Sequence, residues 1–133
     1  MKILVVDDEA DIQTLFQQKF RKEIRKKEMD FLFALSGEEA LNIMAQYQQE
    51  AILILSDINM PGMSGLELLR EIKNSYINPP PPPVVMMITA YGDQENYQQA
   101  IQLGADDFLT KPIDFKALKK KLNDIVTRFP TKN

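Results

Sequence analysis

The fold of this chain is decided by the stretch Ala51-Ile52-Leu53-Ile54-Leu55-Ser56-Asp57. Residues 51–55 are an unbroken apolar run, and only Ser56 separates them from the carboxylate of Asp57. A turn-forming segment, residues 58–65, follows. A continuous apolar run is typical of a strand that is buried on both faces of a parallel sheet. Open α/β sheets place their ligand sites at the carboxyl ends of such strands. Asp57 is therefore the first candidate functional residue.

The composition restricts the chemistry that such a site can perform. The chain has no histidine and no cysteine, which excludes disulfides and thiolate zinc sites. A covalent or metal-assisted mechanism must then rest mainly on carboxylates, hydroxyls or lysine. The 133 residues fit one domain.

Charge and hydropathy give no reason to expect a nucleic acid or a membrane as a direct partner. The net charge is −3, and the one basic cluster, residues 19–27, is interpreted as the solvated face and end of a helix. Met1-Lys2 leads directly into residues 3–6, an apolar run too short for a signal peptide. No segment approaches the ~20 apolar residues that span a bilayer. The sequence therefore predicts a cytoplasmic protein.

Five short apolar runs alternate with five helical patterns, which predicts βαβ units and a parallel sheet. The predicted strands are residues 2–6, 31–34, 52–56, 84–89 and 108–110. The first helical pattern is one apolar stripe: Ile12, Leu15, Phe16, Phe20 and Ile24. The starts of the other four helices are predicted at Ser36, Ser64, Asp93 and Asp114. The predicted domain covers residues 1–128, and residues 129–133 form a short tail.

Two local features complete this interpretation. Gly104 follows the fourth helix and is predicted as its C′ residue, while the third helix is expected to end near Tyr76. Residues 79–83 are five consecutive prolines, which favour polyproline II and cannot continue a helix. We expect a stiff surface loop there. A ligand for a proline-binding module is the alternative, and no function is assigned to the segment.

Side chains suited to phosphate chemistry stand at the carboxyl ends of the predicted strands. Right-handed crossovers in the strand order 2-1-3-4-5 would place strands one and three side by side. The side chains at this edge would be Asp7, Asp8, Asp57, Thr89 and Lys111. Each alone has an ordinary structural explanation, such as a helix cap or a turn. The specificity lies in the whole set, since every member follows or ends a strand.

A hard divalent cation suits three carboxylates that would otherwise repel one another. Mg²⁺ prefers oxygen ligands and usually keeps some of its waters. With the metal present, one carboxylate oxygen can attack phosphorus, while Lys111 and Mg²⁺ offset the charge on the equatorial oxygens. Thr89 could donate a hydrogen bond to the same group. The product would be an acyl phosphate on aspartate.

These residues give the chain a clear resemblance to the receiver domains of two-component response regulators. The resemblance covers about residues 2–126. The matching motifs are Val5-Val6-Asp7-Asp8-Glu9, Asp57-Ile58-Asn59-Met60-Pro61-Gly62-Met63-Ser64-Gly65, Thr89-Ala90 and Gly104-Ala105-Asp106-Asp107-Phe108-Leu109-Thr110-Lys111-Pro112. The resemblance implies a single-domain, flavodoxin-like (βα)5 sandwich of the α/β class, with a parallel sheet of order 2-1-3-4-5.

The resemblance also implies a role for each residue of the site. Asp57 would accept a phosphoryl group from a sensor histidine kinase or a histidine phosphotransfer protein. Asp8 and Asp57 would bind Mg²⁺ through their side chains, Asn59 through its backbone carbonyl, and Asp7 mainly through water. Thr89 and Lys111 would contact the phosphoryl group, and the Lys111-Pro112 peptide would be cis. Such a domain is not an enzyme with a separate substrate, because it catalyses only its own phosphorylation and dephosphorylation.

In the family, the signal leaves the site through the threonine and an aromatic residue on strand five, here Phe108. Movement of Thr89 toward the phosphoryl group would let the ring turn inward and repack the face made by helix four, strand five and helix five. Phe108 lacks the hydroxyl of the tyrosine that many relatives carry. Gln102 and Ala117 stand where relatives with winged-helix output domains carry acids, which argues against that dimer mode. Tyr91 and Asn59 occupy positions that tune phosphoryl lifetime.

Other interpretations remain open at this point. A phosphatase of the haloacid-dehalogenase type also uses an aspartate nucleophile and Mg²⁺, but Asp7-Asp8-Glu9-Ala10 lacks its Asp-x-Asp pattern. A flavodoxin-like FMN binder would need a phosphate loop after strand one, which is not seen. The chain could also be a receiver cut from a longer regulator. Its downstream partner is either a separate output protein or a missing output domain.

Overall fold

A computed structural model describes residues 2–47, 52–75, 83–90 and 92–128. Its centre is a five-stranded parallel sheet in the order β2-β1-β3-β4-β5. The strands are β1 Lys2–Val6, β2 Asp30–Ala34, β3 Ile52–Asp57, β4 Val84–Thr89 and β5 Asp107–Thr110. The predicted α/β class and strand order are confirmed, and each observed strand lies within one residue of its predicted bounds. Asp57 is the last residue of β3 rather than the residue after it.

Six helices cover the two faces of the sheet within the described ranges. They are α1 Asp11–Lys19, α2 Arg21–Arg25, α3 Gly37–Gln46, α4 Gly65–Ser75, α5 Gln94–Gln102 and α6 Phe115–Arg128. No helix in this part of the chain is long and apolar enough to cross a membrane.

The prediction of one continuous first helix is wrong, because the helical conformation is interrupted at Phe20. This residue has φ −108° and ψ 22°, between α1 and α2. Its ring is fully buried and stacks on Phe16 with the centroids 5.7 Å apart. Ile24, which was expected on the buried stripe, is 37% exposed. The apolar stripe indicates a buried Phe20, but it does not reveal the departure from helical geometry at this residue.

The predicted helix starts and the predicted stop are confirmed by hydrogen bonds and backbone angles. Ser36 accepts a hydrogen bond from the Glu39 amide at 3.1 Å. Ser64, Asp93 and Asp114 accept equivalent bonds at the starts of the next three helices. These side chains satisfy amide groups that have no partner within the first turn. Gly104 follows the C-cap of α5 with φ +94°.

Alternate residues of the central strands enter two separate core layers. We call them the aromatic layer, between the sheet and helices α1 and α6, and the aliphatic layer, between the sheet and helices α3, α4 and α5. Ile3 and Leu53 belong to the aromatic layer, whereas Leu4 and Ile54 belong to the aliphatic layer. All six residues of β3 are buried, as a strand with helices on both faces requires.

Some predictions fall outside the described residues. These include four of the five prolines (residues 79–82), Tyr76, Tyr91 and the predicted tail, residues 129–133. Pro83 lies directly before β4. The domain boundary at residue 128 stays a prediction.

Candidate functional site

The carboxylates converge where β1 and β3 end side by side. Val6 pairs with Ser56 in the parallel ladder, so Asp7 and Asp57 follow from neighbouring strands. Both are buried, at 5% and 4% exposure, while Asp8 is exposed. One carboxylate oxygen from each of the three lies within 4.8 Å of the others. The predicted acidic cluster is therefore present, with one member open to solvent.

Lys111 reaches the cluster from the loop after β5. Its Nζ lies 2.7 Å from Asp57 Oδ2, and its backbone amide donates to the Thr89 carbonyl at 2.9 Å. Burial lowers the pKa of Lys111, but the hydrogen bond to Asp57 and the charges of Asp57, Asp7 and Glu9 outweigh it, so the pKa is raised. The ammonium is thus fully charged at neutral pH. The Lys111-Pro112 peptide is cis, as predicted.

Asp7 carries an electrostatic cost in this arrangement. Burial raises its pKa above the usual value of 3.8, and the charges of Asp57 and Asp8 add to the rise. The Glu9 amide donates to Asp7 Oδ1 at 2.9 Å, and this bond and the charge of Lys111 act in the opposite direction. A further positive charge beside the cluster would relieve the repulsion.

The donor set fits a hard divalent cation. Three clustered carboxylates provide oxygen ligands, two buried and one exposed to solvent, and Mg²⁺ prefers oxygen ligands together with retained waters. The backbone N–H of Asn59 donates to Asp57 Oδ1 at 3.3 Å, which orients the carboxylate from the loop side. The cluster has a raised pKa at Asp7, which a bound cation would lower again.

Thr89 and Phe108 occupy the adjoining strands. Asp57 pairs with Ile88 in the ladder, so Thr89 ends β4 one residue further along. Its buried hydroxyl donates to the Leu109 carbonyl at 3.4 Å, and no bond from it to the acidic cluster is found among the described residues. The half-buried ring of Phe108 packs against Tyr97 on α5, with centroids 4.5 Å apart.

Two glycines that the sequence interpretation did not single out support the site. A Cβ at Gly65 would lie 2.2 Å from the Asp57 carbonyl oxygen and 2.7 Å from Ile58 Cα. A Cβ at Gly37 would lie 2.7 Å from the sulfur of Met63, in the loop after Asp57. Neither has a left-handed φ, so only close packing explains them. A glycine beside a capping serine was the available signal, but the sequence does not reveal the neighbouring atoms.

A groove of about 500 Å³ opens beside the acidic cluster. Asp7, Glu9 and Lys111 form its polar end. Its other walls are mainly apolar and come from Ile12, Leu15, Pro112, Ile113 and Phe115. The groove therefore joins the end of the sheet to the outer surface of α1.

A doubly wound α/β domain with an aspartate cluster and a lysine at the carboxyl edge of its sheet defines a class of signalling proteins that accept a phosphoryl group on aspartate. The chain belongs to the response regulator receiver domain family, because the model of that family matches residues 3–123. It is a phospho-accepting receiver domain of two-component response regulators. The phosphatase alternative is not favoured.

Solved structures of receiver proteins are similar to the chain over nearly its whole length. A response regulator receiver domain protein from Clostridium thermocellum is 31% identical, with a TM-score of 0.80, covering 96% of this chain and 94% of that one. The signal receiver domain of a putative Luxo repressor protein from Vibrio parahaemolyticus is 29% identical, with a TM-score of 0.79 and coverages of 96% and 90%. Chemotaxis protein CheY4 from Vibrio cholerae is 28% identical, with a TM-score of 0.71 and coverages of 93% and 97%.

Proposed function

We propose that Asp57 is the phospho-acceptor of this receiver domain and that its phosphodonor is a histidine kinase or a histidine phosphotransfer protein. The observation that carries the proposal is the environment of Asp57. It is a buried carboxylate at a strand end, held at 2.7 Å by Lys111 and clustered with Asp7 and Asp8.

In the proposed transfer, a carboxylate oxygen of Asp57 forms a bond to phosphorus while the bond between phosphorus and the donor's imidazole nitrogen breaks. The products are an acyl phosphate on Asp57 and an imidazole whose released nitrogen takes a proton from water. Lys111 remains charged throughout and pairs with the incoming phosphoryl oxygens as its contact with Asp57 loosens. Hydrolysis of the acyl phosphate by water restores Asp57. The domain thus catalyses its own modification and acts on no separate substrate.

The residues proposed to hold Mg²⁺ are the side chains of Asp8 and Asp57 and the backbone carbonyl of Asn59, with Asp7 acting through water. The bound ion supplies positive charge against the acidic cluster and the phosphoryl oxygens. The fit of three carboxylates within 4.8 Å supports this assignment, as does the raised pKa of Asp7.

The groove beside the site is the proposed docking position of the phosphodonor. A donor histidine must approach Asp57 closely, so the donor surface has to cover the residues around it. Ile12 and Leu15 on α1 and Phe115 on α6 present an apolar wall directly beside Asp7 and Lys111. An amphipathic helix of the donor would bury this wall.

Output is proposed to pass through Thr89 and Phe108 to the face formed by α5, β5 and α6, and from there to a separate output protein or an output domain. In this structure the Thr89 hydroxyl donates a hydrogen bond to the Leu109 carbonyl. Turning toward a phosphoryl group on Asp57 would release that bond beside the Phe108–Tyr97 pair. The change is a shift in the equilibrium between two packings of this face. Gln102 and Ala117 stand where the symmetric dimers of winged-helix relatives would need acidic residues, so we propose that output does not use that dimer.

The proposal is tested by intact-mass measurement after incubation with phosphoramidate or acetyl phosphate, with and without Mg²⁺. We expect one phosphoryl adduct that requires Mg²⁺ and is absent in Asp57→Asn. Asp11→Asn, which changes an exposed carboxylate on α1, is the matched control and should keep the adduct. Equal adduct yield in Asp57→Asn would overturn the assignment.

Lys111→Ala separates a chemical role of the lysine from a structural one. We expect the variant to fold, as judged by circular dichroism, but to accept the phosphoryl group more slowly or to fail to change conformation. A variant that is simply unfolded would make Lys111 a structural residue, and one with normal phosphorylation and response would remove it from the mechanism.

A further inference from the structure

Gly37 leaves a space that the side chain of Met63 fills. Gly37 is the first residue of α3, is buried, and has no left-handed φ that would require glycine. A Cβ there would lie 2.7 Å from Met63 Sδ, 2.9 Å from Cγ and 3.1 Å from Cβ. Contacts below 3.0 Å are essentially never seen for a real Cβ. We call the space beside Gly37 the Gly37 notch. It lies at the start of α3 and is filled by the side chain of Met63, which is 26 positions further along the chain.

Met63 belongs to the segment that carries the candidate metal ligand Asn59. This segment, residues 58–64, which we call the acceptor loop, leaves β3 at Asp57 and enters α4 at Gly65. Its two ends are fixed by backbone bonds: Ile58 donates to the Ile88 carbonyl at 3.2 Å, and Gly65 donates to the Ile58 carbonyl at 2.7 Å.

Between those ends, Met60 packs into the aliphatic layer directly after Asn59, and Met63 provides a second anchor further along the loop. Pro61 and Gly62 are exposed, and Gly62 has φ +73°, a conformation that glycine adopts freely but at a high entropic cost. Met63 extends from this part of the loop to the first turn of α3, where Ser36 caps the helix. A thioether side chain suits such a close and irregular contact, because it is unbranched and adapts its shape.

We propose that Met63 is a positioning residue whose seat in the Gly37 notch holds the acceptor loop so that the Asn59 carbonyl lies where a divalent cation can use it. This rests on the proposed function, in which Asn59 is a metal ligand. Met63 itself touches neither the metal nor the phosphoryl group. Its removal frees the loop, and the carbonyl then has to be ordered at the expense of binding free energy. Residues that orient metal ligands typically change metal affinity by about 10–100-fold when removed.

A double-mutant cycle on the full chain tests whether packing of Met63 in the Gly37 notch supports Mg²⁺ binding. Binding is measured by isothermal titration calorimetry in the absence of any phosphodonor. Met63→Ala should weaken Mg²⁺ binding by about tenfold. Gly37→Ala should also weaken it, by no more than Met63→Ala does, because the added Cβ moves the flexible Met63 side chain out of its position. The double variant should bind no more weakly than Met63→Ala alone, since the Cβ then fills the empty notch. Met63→Leu, which keeps a large apolar side chain, should bind within about threefold of the original chain.

Met44→Ala is the matched control for general destabilisation. Met44 is a fully buried methionine further along the same helix α3, so its loss should lower the melting temperature. Its Mg²⁺ affinity should stay unchanged. Wild-type Mg²⁺ affinity in Met63→Ala would overturn the inference, as would an equal loss in Met44→Ala or additive losses in the cycle.

Phosphorylation of Asp57 and positioning of the acceptor loop by Met63 can be disproved separately. If the chain with its own sequence bound no Mg²⁺ and gained no phosphoryl group on Asp57, the proposed function would fall and the seat with it. If Mg²⁺ binding and Asp57 phosphorylation are normal but the cycle shows no coupling between residues 37 and 63, only the seat is overturned.

Discussion

The two core layers on either side of the sheet hold together by different means. In the aromatic layer, five rings contact one another with centroids 5.0 to 6.4 Å apart: Phe16, Phe20, Phe31, Phe33 and Phe115. Lys119 lies 5.5 Å over the Phe20 ring and Lys19 lies 5.9 Å over that of Phe115. These pairs link α6 to α1 and to Phe20, the residue between α1 and α2.

The buried residues of the aliphatic layer are instead isoleucine, leucine, valine, methionine and alanine, with close contacts at two glycines. Among the described residues, this side has one ring–ring pair, Tyr97–Phe108, and one lysine over a ring, Lys2 at 4.9 Å from the centroid of Tyr47. The acceptor loop and the proposed switch residues pack into this layer, through Ile58, Met60 and Phe108. From this difference we infer that the aromatic layer holds the sheet in place, whereas the aliphatic layer is able to repack.

The largest expected effect is the loss of stability in Phe16→Ala. Phe16 is fully buried and contacts four other rings, so its removal should cost about 3–5 kcal/mol of unfolding free energy. The measurement is urea unfolding followed by circular dichroism. The phosphorylated variant should still show the conformational change of the original domain, by amide chemical shifts. If that change disappears in a folded Phe16→Ala domain, the division between the layers is wrong.

Gly65→Ala should give the next largest effect, and on the other side of the comparison. The new Cβ would meet the Asp57 carbonyl oxygen and the Ile58 backbone, neither of which belongs to a flexible side chain. Overpacking of this kind costs about 1–3 kcal/mol, and here it also displaces the acceptor. We expect the rate of phosphorylation by phosphoramidate to fall. Gly92→Ala, where an added Cβ has open space but the φ is +85°, separates a steric effect from glycine loss in general.

Phe108→Leu tests the aliphatic layer more gently. The substitution keeps an apolar side chain but removes the aromatic pair with Tyr97, which is worth about 0.5–1.5 kcal/mol. The Asp57 adduct should form normally, whereas the shift changes at α5 and α6 on phosphorylation should shrink. Tyr97→Leu should do the same, because it removes the other half of the pair. Unaltered shift changes in both variants would separate Phe108 from the switch.

Topology and most of the site could be predicted because both depend on local sequence. Each strand contains a short apolar run, so its bounds could be predicted to within one residue, and parallel strands gather their carboxyl ends at one edge. Asp7, Asp57 and Lys111 therefore had to meet once the strand order was known. The cis Lys111-Pro112 peptide followed from the family resemblance. The chemical roles of these residues stay predictions until Asp57 is phosphorylated in a direct test.

The rest depends on contacts between distant parts of the chain. The break at Phe20 comes with packing of its ring against Phe31 and Phe115, while the apolar stripe continues through Ile24 without interruption. The Thr89 hydroxyl could have faced the acidic cluster, and its bond to Leu109 depends on β5. Nothing in the sequence shows that a methionine sulfur lies over Gly37, because helical glycine has no signature that separates close packing from a turn.

Asp7→Asn gives the smallest expected effect, and it is a gain. The pKa of Asp7 is raised by burial and by Asp57 and Asp8, so the folded domain binds a proton at this group more readily than the unfolded chain. The contribution of protonated Asp7 to the stability of the fold is therefore complete below the unfolded pKa of 3.8, and it is lost as the pH rises through the pKa of Asp7 in the folded domain. At pH 7 the ionised group opposes folding, and asparagine, which can still accept the Glu9 amide bond, removes that opposition. We expect a melting temperature a few degrees higher at pH 7 without Mg²⁺, no gain at pH 3, and a smaller Mg²⁺-induced rise than in the original domain. Glu71→Gln, an exposed carboxylate on α4, should change none of these, and a gain at pH 3 equal to that at pH 7 would show that the effect is not one of charge.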